Sequence, residues 1–286
     1  METSRKNLEM GKIIYSGKFK LDLDKTLVMG ILNVTPDSFF DGGSWVDVDA
    51  AVERGREMVE LGADIIDVGG ESTRPGSDMV PIKEELKRVL PVVEALACEL
   101  RVPISIDSYK PEVVEKAISA GASMVNDVYG LRSVGMAELV ADSGLAVVVM
   151  HMQGSPKNMQ ENPSYGDVVE DIQSFFKERI EHAKSHGVLE KQIILDPGIG
   201  FGKTLNHNLE IVRRLSEFKD LGFPLLVGAS RKSMIGEILD APPGDRLSGS
   251  LAVAVIAVAK GANILRVHDI GETVAVLKVA DTILKN

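Results

Sequence analysis

The chain has 286 residues, with 32 Lys and Arg against 42 Asp and Glu and a formal net charge of −10. A field of that sign repels phosphate backbones and anionic lipid, which argues against nucleic-acid or membrane partners but leaves room for a small anion in a locally basic pocket. Hydrophobic residues at 44% and charged residues at 26% exclude a disordered chain and suffice for a sizeable core.

Cys98 is the only cysteine, so no intramolecular disulfide can form, as in a reducing compartment. Residues 1–10 are mostly polar and lack the apolar core of a secretion signal. The densest apolar run, residues 251–259, is far short of the ~20 residues that span a bilayer. A cytoplasmic protein is expected.

The first element in chain order lies in residues 11–25. Ile13, Tyr15, Phe19, Leu21 and Leu23 sit at odd positions around Ser16-Gly17. This reads as a short hairpin, either a plug at the base of the core or a surface hairpin. One pattern then repeats eight times: a short apolar run, a polar or Gly-containing turn, and a helical stretch. The runs are residues 27–32, 64–68, 104–106, 123–125, 146–150, 192–195, 225–227 and 264–267. Strands covered on both faces read as such continuous runs. Between them the period is helical. In residues 50–61, Val52, Val59 and Leu61 fall among Glu53, Arg54, Arg56, Glu57 and Glu60. Gly62-Ala63, Gly121-Ala122, Gly222-Phe223 and Gly261-Ala262 read as helix exits into the next strand.

Eight such units with no break in composition predict an α/β protein, a single (β/α)8 barrel over residues 1–286. An open doubly wound sheet is the alternative and would need a reversal of strand order. Long loops follow the first two runs, at residues 33–47 and 69–81, and both are rich in Gly, Ser, Thr, Pro and Asp. Such loops on a barrel are usually lids or binding loops. Residues 154–166 form a third polar stretch.

In a barrel, polar groups at strand C-termini read as a site. Here the runs end on Asn33, Glu71-Ser72-Thr73-Arg74, Asp107, Asn126-Asp127, His151, Asp196, Ser230-Arg231-Lys232-Ser233, and Arg266 with His268. Asp107 and Asp196 only accept hydrogen bonds, Asn126 donates and accepts, and Lys232 donates and offsets their charge. Together they fit a flat heterocycle with an amino-pyrimidinone edge; a network of ion pairs that merely ties the rim is the alternative. Arg266, His268 and the opening of the last helix at Asp269-Ile270-Gly271-Glu272 suit a phosphate or pyrophosphate. The alternative is an Arg266 paired with a neighbouring Asp. The Asn33 carbonyl suits a hard cation such as Mg2+.

Asp196-Pro197-Gly198-Ile199-Gly200-Phe201-Gly202-Lys203-Thr204 looks like a P-loop but is not one, because Gly198 and Gly202 enclose three residues where that motif needs four. The glycines instead let a flat ligand approach the backbone, with Phe201 against its face. Neither a zinc pattern nor a nucleophile elbow is present. Cys98 falls in the helical stretch 82–100, away from the rim.

These stretches resemble the dihydropteroate synthase family: Asn33-Val34-Thr35-Pro36-Asp37-Ser38-Phe39, Gly69-Gly70-Glu71-Ser72-Thr73-Arg74-Pro75-Gly76, Ile106-Asp107-Ser108, Val125-Asn126-Asp127, Asp196 to Lys203, Gly228-Ala229-Ser230-Arg231-Lys232-Ser233 and Arg266-Val267-His268-Asp269. The resemblance runs in order along nearly the whole chain, and no motif position departs from it. It implies a (β/α)8 barrel that condenses 6-hydroxymethyl-7,8-dihydropterin pyrophosphate with p-aminobenzoate, a step of folate synthesis. It assigns the pterin to Asp107, Asn126, Asp196 and Lys232, with Phe201 nearby. It assigns the pyrophosphate and Mg2+ to Asn33, Arg266 and His268. It places Thr73, Arg74, Pro75, Phe39 and Ser233 around the p-aminobenzoate pocket, where sulfonamides bind in the family.

The chemistry agrees. Pyrophosphate leaves a methylene on an electron-rich ring, so a cation-like transition state is expected, stabilised by carboxylates at the ring edge. Two other readings are a pterin-binding methyltransferase domain, which would not need Asn33, Arg266, His268 or the two loops, and a catalytically silent pterin-binding or assembly protein. Residues 251–259 would form a helix apolar on nearly every face, which must be buried on more than one side. Members of the family resemble homodimers joined through late helices, so the same is expected here.

Overall fold

Apolar runs too short for helices and bounded by turn residues bury all their side chains only as strands covered on both faces. The computed structural model, which describes residues 13–35, 48–72 and 76–284, uses them in that way. In chain order the elements are β1 (Ile13–Ser16), β2 (Phe19–Asp22), β3 (Leu27–Asn33), α1 (Val48–Glu60), β4 (Ile65–Gly69), α2 (Ile82–Glu99), β5 (Ile104–Asp107), α3 (Pro111–Ser119), β6 (Met124–Asp127) and α4 (Met136–Ser143). They continue with β7 (Ala146–Met150), α5 (Val168–Ser185), β8 (Ile193–Asp196), α6 (Leu205–Arg213), β9 (Leu226–Val227), α7 (Ser233–Leu239), α8 (Leu247–Ala259), β10 (Ile264–Val267) and α9 (Ile270–Leu284).

Strands β3 to β10 form one parallel sheet in the order β8-β7-β6-β5-β4-β3-β10-β9. Consecutive strands are neighbours all the way round. The two ends meet at a parallel bridge between Leu195 and Leu225, where the Leu195 N–H donates to the Pro224 carbonyl at 2.9 Å. No reversal of strand order occurs, so the sheet is a nearly closed barrel and not a doubly wound sheet. The glycine exits behave as expected. Gly62 (φ +102°) and Gly121 (φ +112°) leave their helices in a backbone region that a Cβ would disfavour.

Two apolar layers result. An outer layer joins the sheet to the surrounding helices. An inner layer fills the barrel base with Met29, Ile65, Met124, Val148, Ile194 and Ile264, together with Ile14, Leu21 and Leu23 from the hairpin. The hairpin is therefore a plug, but its apolar odd positions do not share a face. Gly17-Lys18 makes a two-residue turn, so the register pairs even with odd positions, Ile14 with Leu21 and Tyr15 with Lys20. Ile14 is buried and Tyr15 is 46% exposed.

Two further expectations need correction. Leu61 lies beyond the end of α1 and is exposed, and the buried stripe of α1 is Ala51, Val52, Gly55 and Met58. Helix α8 is not buried on several sides within the chain. Its buried residues Ser250, Ala254, Ala257 and Val258 follow one stripe, while Ile256 is 44% exposed. Among the described residues, no helix is long and apolar enough to cross a membrane.

Ser16 fastens the plug. Its buried hydroxyl donates to the Ser123 carbonyl and accepts from the Ala146 N–H at 2.9 Å. Ser16→Ala would strand both backbone groups, and about 1–3 kcal/mol of stability should be lost. Urea denaturation should show the lower midpoint with steady-state kinetics unaltered. A wild-type midpoint would mean that the plug does not depend on this serine.

Candidate active site

At the C-terminal ends of the strands the barrel carries charge deep inside. Asp67 sits in the apolar strand β4 with its side chain 0% exposed. A carboxylate there must be paired. Arg266 of β10 supplies the pairing and extends it, donating through Nε to Asp67 Oδ2 and through Nη2 to Asp107 Oδ2, each at 2.6 Å. Asn126 of β6 donates through Nδ2 to the same Asp67 oxygen at 2.9 Å. One buried carboxylate thus orients Arg266 and Asn126 together. Among the described residues, Asp67 Oδ1, Asp107 Oδ1 and Ser105 Oγ are buried and find no hydrogen-bond partner. The free Asp107 oxygen is an acceptor placed for an N–H donor.

The opposite side of the mouth is built on β8. The Asp196 carboxylate accepts from the Gly198 N–H at 2.8 Å. Gly198 (φ +67°) lies so close to the strand that a Cβ would come within 2.0 Å of the His151 carbonyl oxygen. Gly200 (φ +83°) would meet the Lys232 side chain at 3.0 Å. Both glycines are required for this loop to lie flat across the mouth. Lys232 Nζ donates to the Ile199 carbonyl and lies 4.3 Å from the centre of the Phe201 ring. The preceding residue, Arg231, adopts φ +58°, unusual for a side chain of its size. Its backbone is held by Ser250 Oγ (3.0 Å) and Arg246 Nη1 (3.0 Å), and its Nε donates to Asp269 at 3.0 Å.

The charges tune one another. Burial pushes Asp107 up to about 7, with Arg266 opposing and Asp67 reinforcing the rise. Burial also raises Asp196, opposed by Lys232. Lys232 is pushed down to about 8 by burial, against the pull of Asp196. Burial works against the Arg266 cation as well, but Asp67 and Asp107 outweigh it and keep the guanidinium charged. His268 is lowered to about 4 by burial and then by Arg266 and Arg231. It is therefore a neutral ring at pH 7, with Nδ1 3.0 Å from Ser230 Oγ.

The structure brings Asp107, Asn126, Asp196, Lys232, Phe201 and Arg266 to one mouth. Asn33 ends β3 beside Gly69, and Ser233 opens α7 on the exposed rim. Phe39, Thr73, Arg74 and Pro75 lie outside the described residues. Asp127 is not part of the mouth surface: its two oxygens accept from the Tyr129 (2.8 Å) and Leu131 (2.7 Å) N–H groups and shape the turn after β6. His151 faces the buried Lys203, whose Nζ is 3.0 Å from its Nδ1. Among the described residues no group of three His, Cys, Asp or Glu could hold a metal. Asn33 offers one amide oxygen, a ligand type that suits a hard cation.

The profile of pterin binding enzymes matches residues 29–268 of the chain. A dihydropteroate synthase of Escherichia coli (strain K12) is 52% identical over 264 residues, covering 92% of this chain and 94% of that one. The Yersinia pestis dihydropteroate synthase, solved with a sulfonamide drug, superposes with a TM-score of 0.91 at 48% identity, covering 95% of this chain and 98% of that one. The Xanthomonas albilineans dihydropteroate synthase, solved with 4-aminobenzoic acid, gives 0.90 at 44% identity, covering 96% and 98%. The chain belongs to the dihydropteroate synthase family.

Within this dihydropteroate synthase barrel, Asp67 is the residue that sequence reasoning missed. The available signal was a lone carboxylate inside the otherwise apolar Ile65–Gly69. Arg266 also proves to be paired with aspartates, and with two of them at once. Asp67→Asn keeps the size but removes the charge that holds Arg266, so kcat/KM should fall by about 10- to 100-fold. Steady-state kinetics with calorimetric pterin titration would check this. Wild-type values in both would remove Asp67 from any role in the site.

Proposed function

We propose that this barrel condenses 6-hydroxymethyl-7,8-dihydropterin pyrophosphate with p-aminobenzoate, giving 7,8-dihydropteroate and pyrophosphate in folate synthesis. The observation that carries the reading is the joint placement of Asp107, Asn126, Asp196 and Lys232 beside Arg266 at one barrel mouth. The two carboxylates accept from the N–H edge of the pterin, Asn126 reads its amide edge, and Lys232 donates to its carbonyl or ring nitrogen. Phe201 covers one face of the ring. Arg266, kept cationic by its two aspartates, faces the leaving diphosphate, and the neutral His268 donates from a ring nitrogen.

Ring-edge carboxylates favour positive charge developing on the pterin methylene, so the leaving group departs before the amine attacks. An aniline nitrogen needs no strong general base at neutral pH. Mg2+, when bound through Asn33 and the diphosphate, would supply further charge stabilisation to the leaving group. Thr73, Arg74, Pro75, Phe39 and Ser233 receive the p-aminobenzoate. The relatives solved with 4-aminobenzoic acid and with a sulfonamide support p-aminobenzoate as the second substrate.

Pyrophosphate release measured with the dihydropterin pyrophosphate and Mg2+ should depend on p-aminobenzoate and collapse in Lys232→Ala. The methylene carbon should show only a small isotope effect. Tight pterin binding with no amine-dependent release would turn the reading toward a methyltransferase-like or silent homologue, and a large carbon isotope effect would make the displacement concerted.

The proposal includes a homodimer through the late helices. Ile256 on α8 and Val279, Ile283 and Leu284 on α9 are exposed apolar side chains on two helices that pack together, the kind of patch a partner covers. Light scattering at micromolar concentration should give twice the mass of one chain, and a monomer would count against it.

A further inference from the structure

The polar stretch 154–166, which follows β7, is used by none of the roles above. It is closed at its neck by a reciprocal pair: Gln153 Nε2 donates to the Ser164 carbonyl at 2.9 Å, and the Ser164 N–H donates to Gln153 Oε1 at 3.1 Å. Inside it, Asn158 Oδ1 accepts from the Ser155 N–H at 2.9 Å and from the Ser155 hydroxyl at 2.8 Å. Joined ends and internal contacts make it a compact Ω-type loop with a shape of its own. It lies directly against the glycine loop that follows β8, where a Cβ on Gly202 would come within 2.8 Å of the Gln153 carbonyl oxygen.

The glycine loop needs such a neighbour. Gly198, Gly200 and Gly202 all have positive φ, and residues 198–202 belong to no helix or strand that would pair their carbonyls. Four successive carbonyls accept from side chains instead. Lys232 Nζ donates to Ile199, Gln160 Nε2 to Gly200 at 3.0 Å, Lys203 Nζ to Phe201 at 2.9 Å and the Tyr165 hydroxyl to Gly202 at 2.7 Å. Lys203 is buried with its Nζ 3.0 Å from His151 Nδ1, and the Tyr165 ring meets His207 edge-on at 4.9 Å. The Ω-type loop therefore holds the carbonyls on either side of Phe201, and Lys203 holds that of Phe201 itself. Glycine loses more conformational freedom on ordering than any other residue. Without these donors, three glycines in five residues would leave the Phe201 ring no set place at the mouth.

We infer that Gln160, Tyr165 and Lys203 are positioning residues for the first substrate: they fix the glycine loop through its carbonyls and so set Phe201 against the pterin ring. The inference rests on the assignment of Phe201 to one face of the pterin.

A double-mutant cycle on pterin affinity tests it, because residues that act through one another are not additive. Calorimetric titration with 6-hydroxymethyl-7,8-dihydropterin pyrophosphate should show Kd raised about three- to tenfold in Tyr165→Phe, the loss of one hydrogen bond. Hydrogen exchange of residues 199–203 should quicken in the same variant. In a Phe201→Ala background, Tyr165→Phe should change Kd by less than about twofold. Gln160→Ala, at an exposed side chain, should give the same pattern with a smaller first step, and keeps the test open if Tyr165→Phe does not fold. The inference is overturned if the loss is equal in both backgrounds, since the tether would then act elsewhere than through Phe201, or if Kd and exchange both stay at wild-type values. A wild-type Kd in Phe201→Ala alone would overturn the assignment of Phe201 to the pterin face, and the inference with it.

Discussion

Arg266 cannot be buried without carboxylates, and Asp67 cannot be buried without a cation. Placing them on β10 and β4, on either side of β3, makes each the solution for the other, and Asp107 on β5 accepts the second arm of the fork. An isolated buried charge is among the most destabilising features a core can hold. The barrel therefore has to close in the register that brings these side chains together. That register carries Asn126 onto the same carboxylate and leaves one buried Asp107 oxygen without a donor among the described residues. Core pairing and site construction are one arrangement here.

The electrostatics of the mouth follow from that arrangement and from its counterpart across the barrel. Asp107 and Asp196 are both raised by burial, and each is held back by the cation nearest to it, Arg266 or Lys232. Lys232 is lowered for the same reason that the acids are raised. A ligand edge bearing N–H donors relieves the cost of the buried acids, and a diphosphate would give Arg266 a third anion beside Asp67 and Asp107. The pairing of Arg266 with Asp67 and Asp107 and of Lys232 with the Ile199 carbonyl involves the same groups that a pterin diphosphate would engage.

The backbone around the mouth supports these side chains at close quarters. The loop after β8 passes so near the His151 carbonyl that only glycine fits at position 198. Arg231 takes a left-handed conformation that Ser250, Arg246 and Asp269 hold in place. On the side of β4 and β5, one buried cation, Lys110, likewise joins several acceptors across elements: Glu71, Glu85 and the Val80 carbonyl.

Much of this was legible in the residues themselves. Continuous apolar runs, glycine exits and polar strand ends all arise from interactions within a few residues, so the eight units, their order and most of the rim, from Asp107 to His268, could be read directly. The hairpin was legible as a hairpin, but its buried face depended on a two-residue turn that shifts parity between β1 and β2. Asp67 was hidden because a single acid in an apolar run says nothing of its partner. Arg266 lies 199 residues from Asp67 and 159 from Asp107, and Lys110 lies 39 from Glu71. The chain by itself determined the strands, their turns and which polar residues end the strands, because periodicity and turn chemistry are local. Only the tertiary structure decided which buried groups share an acceptor and which charges neutralise one another, because buried charges choose partners across the closed barrel and not along the chain.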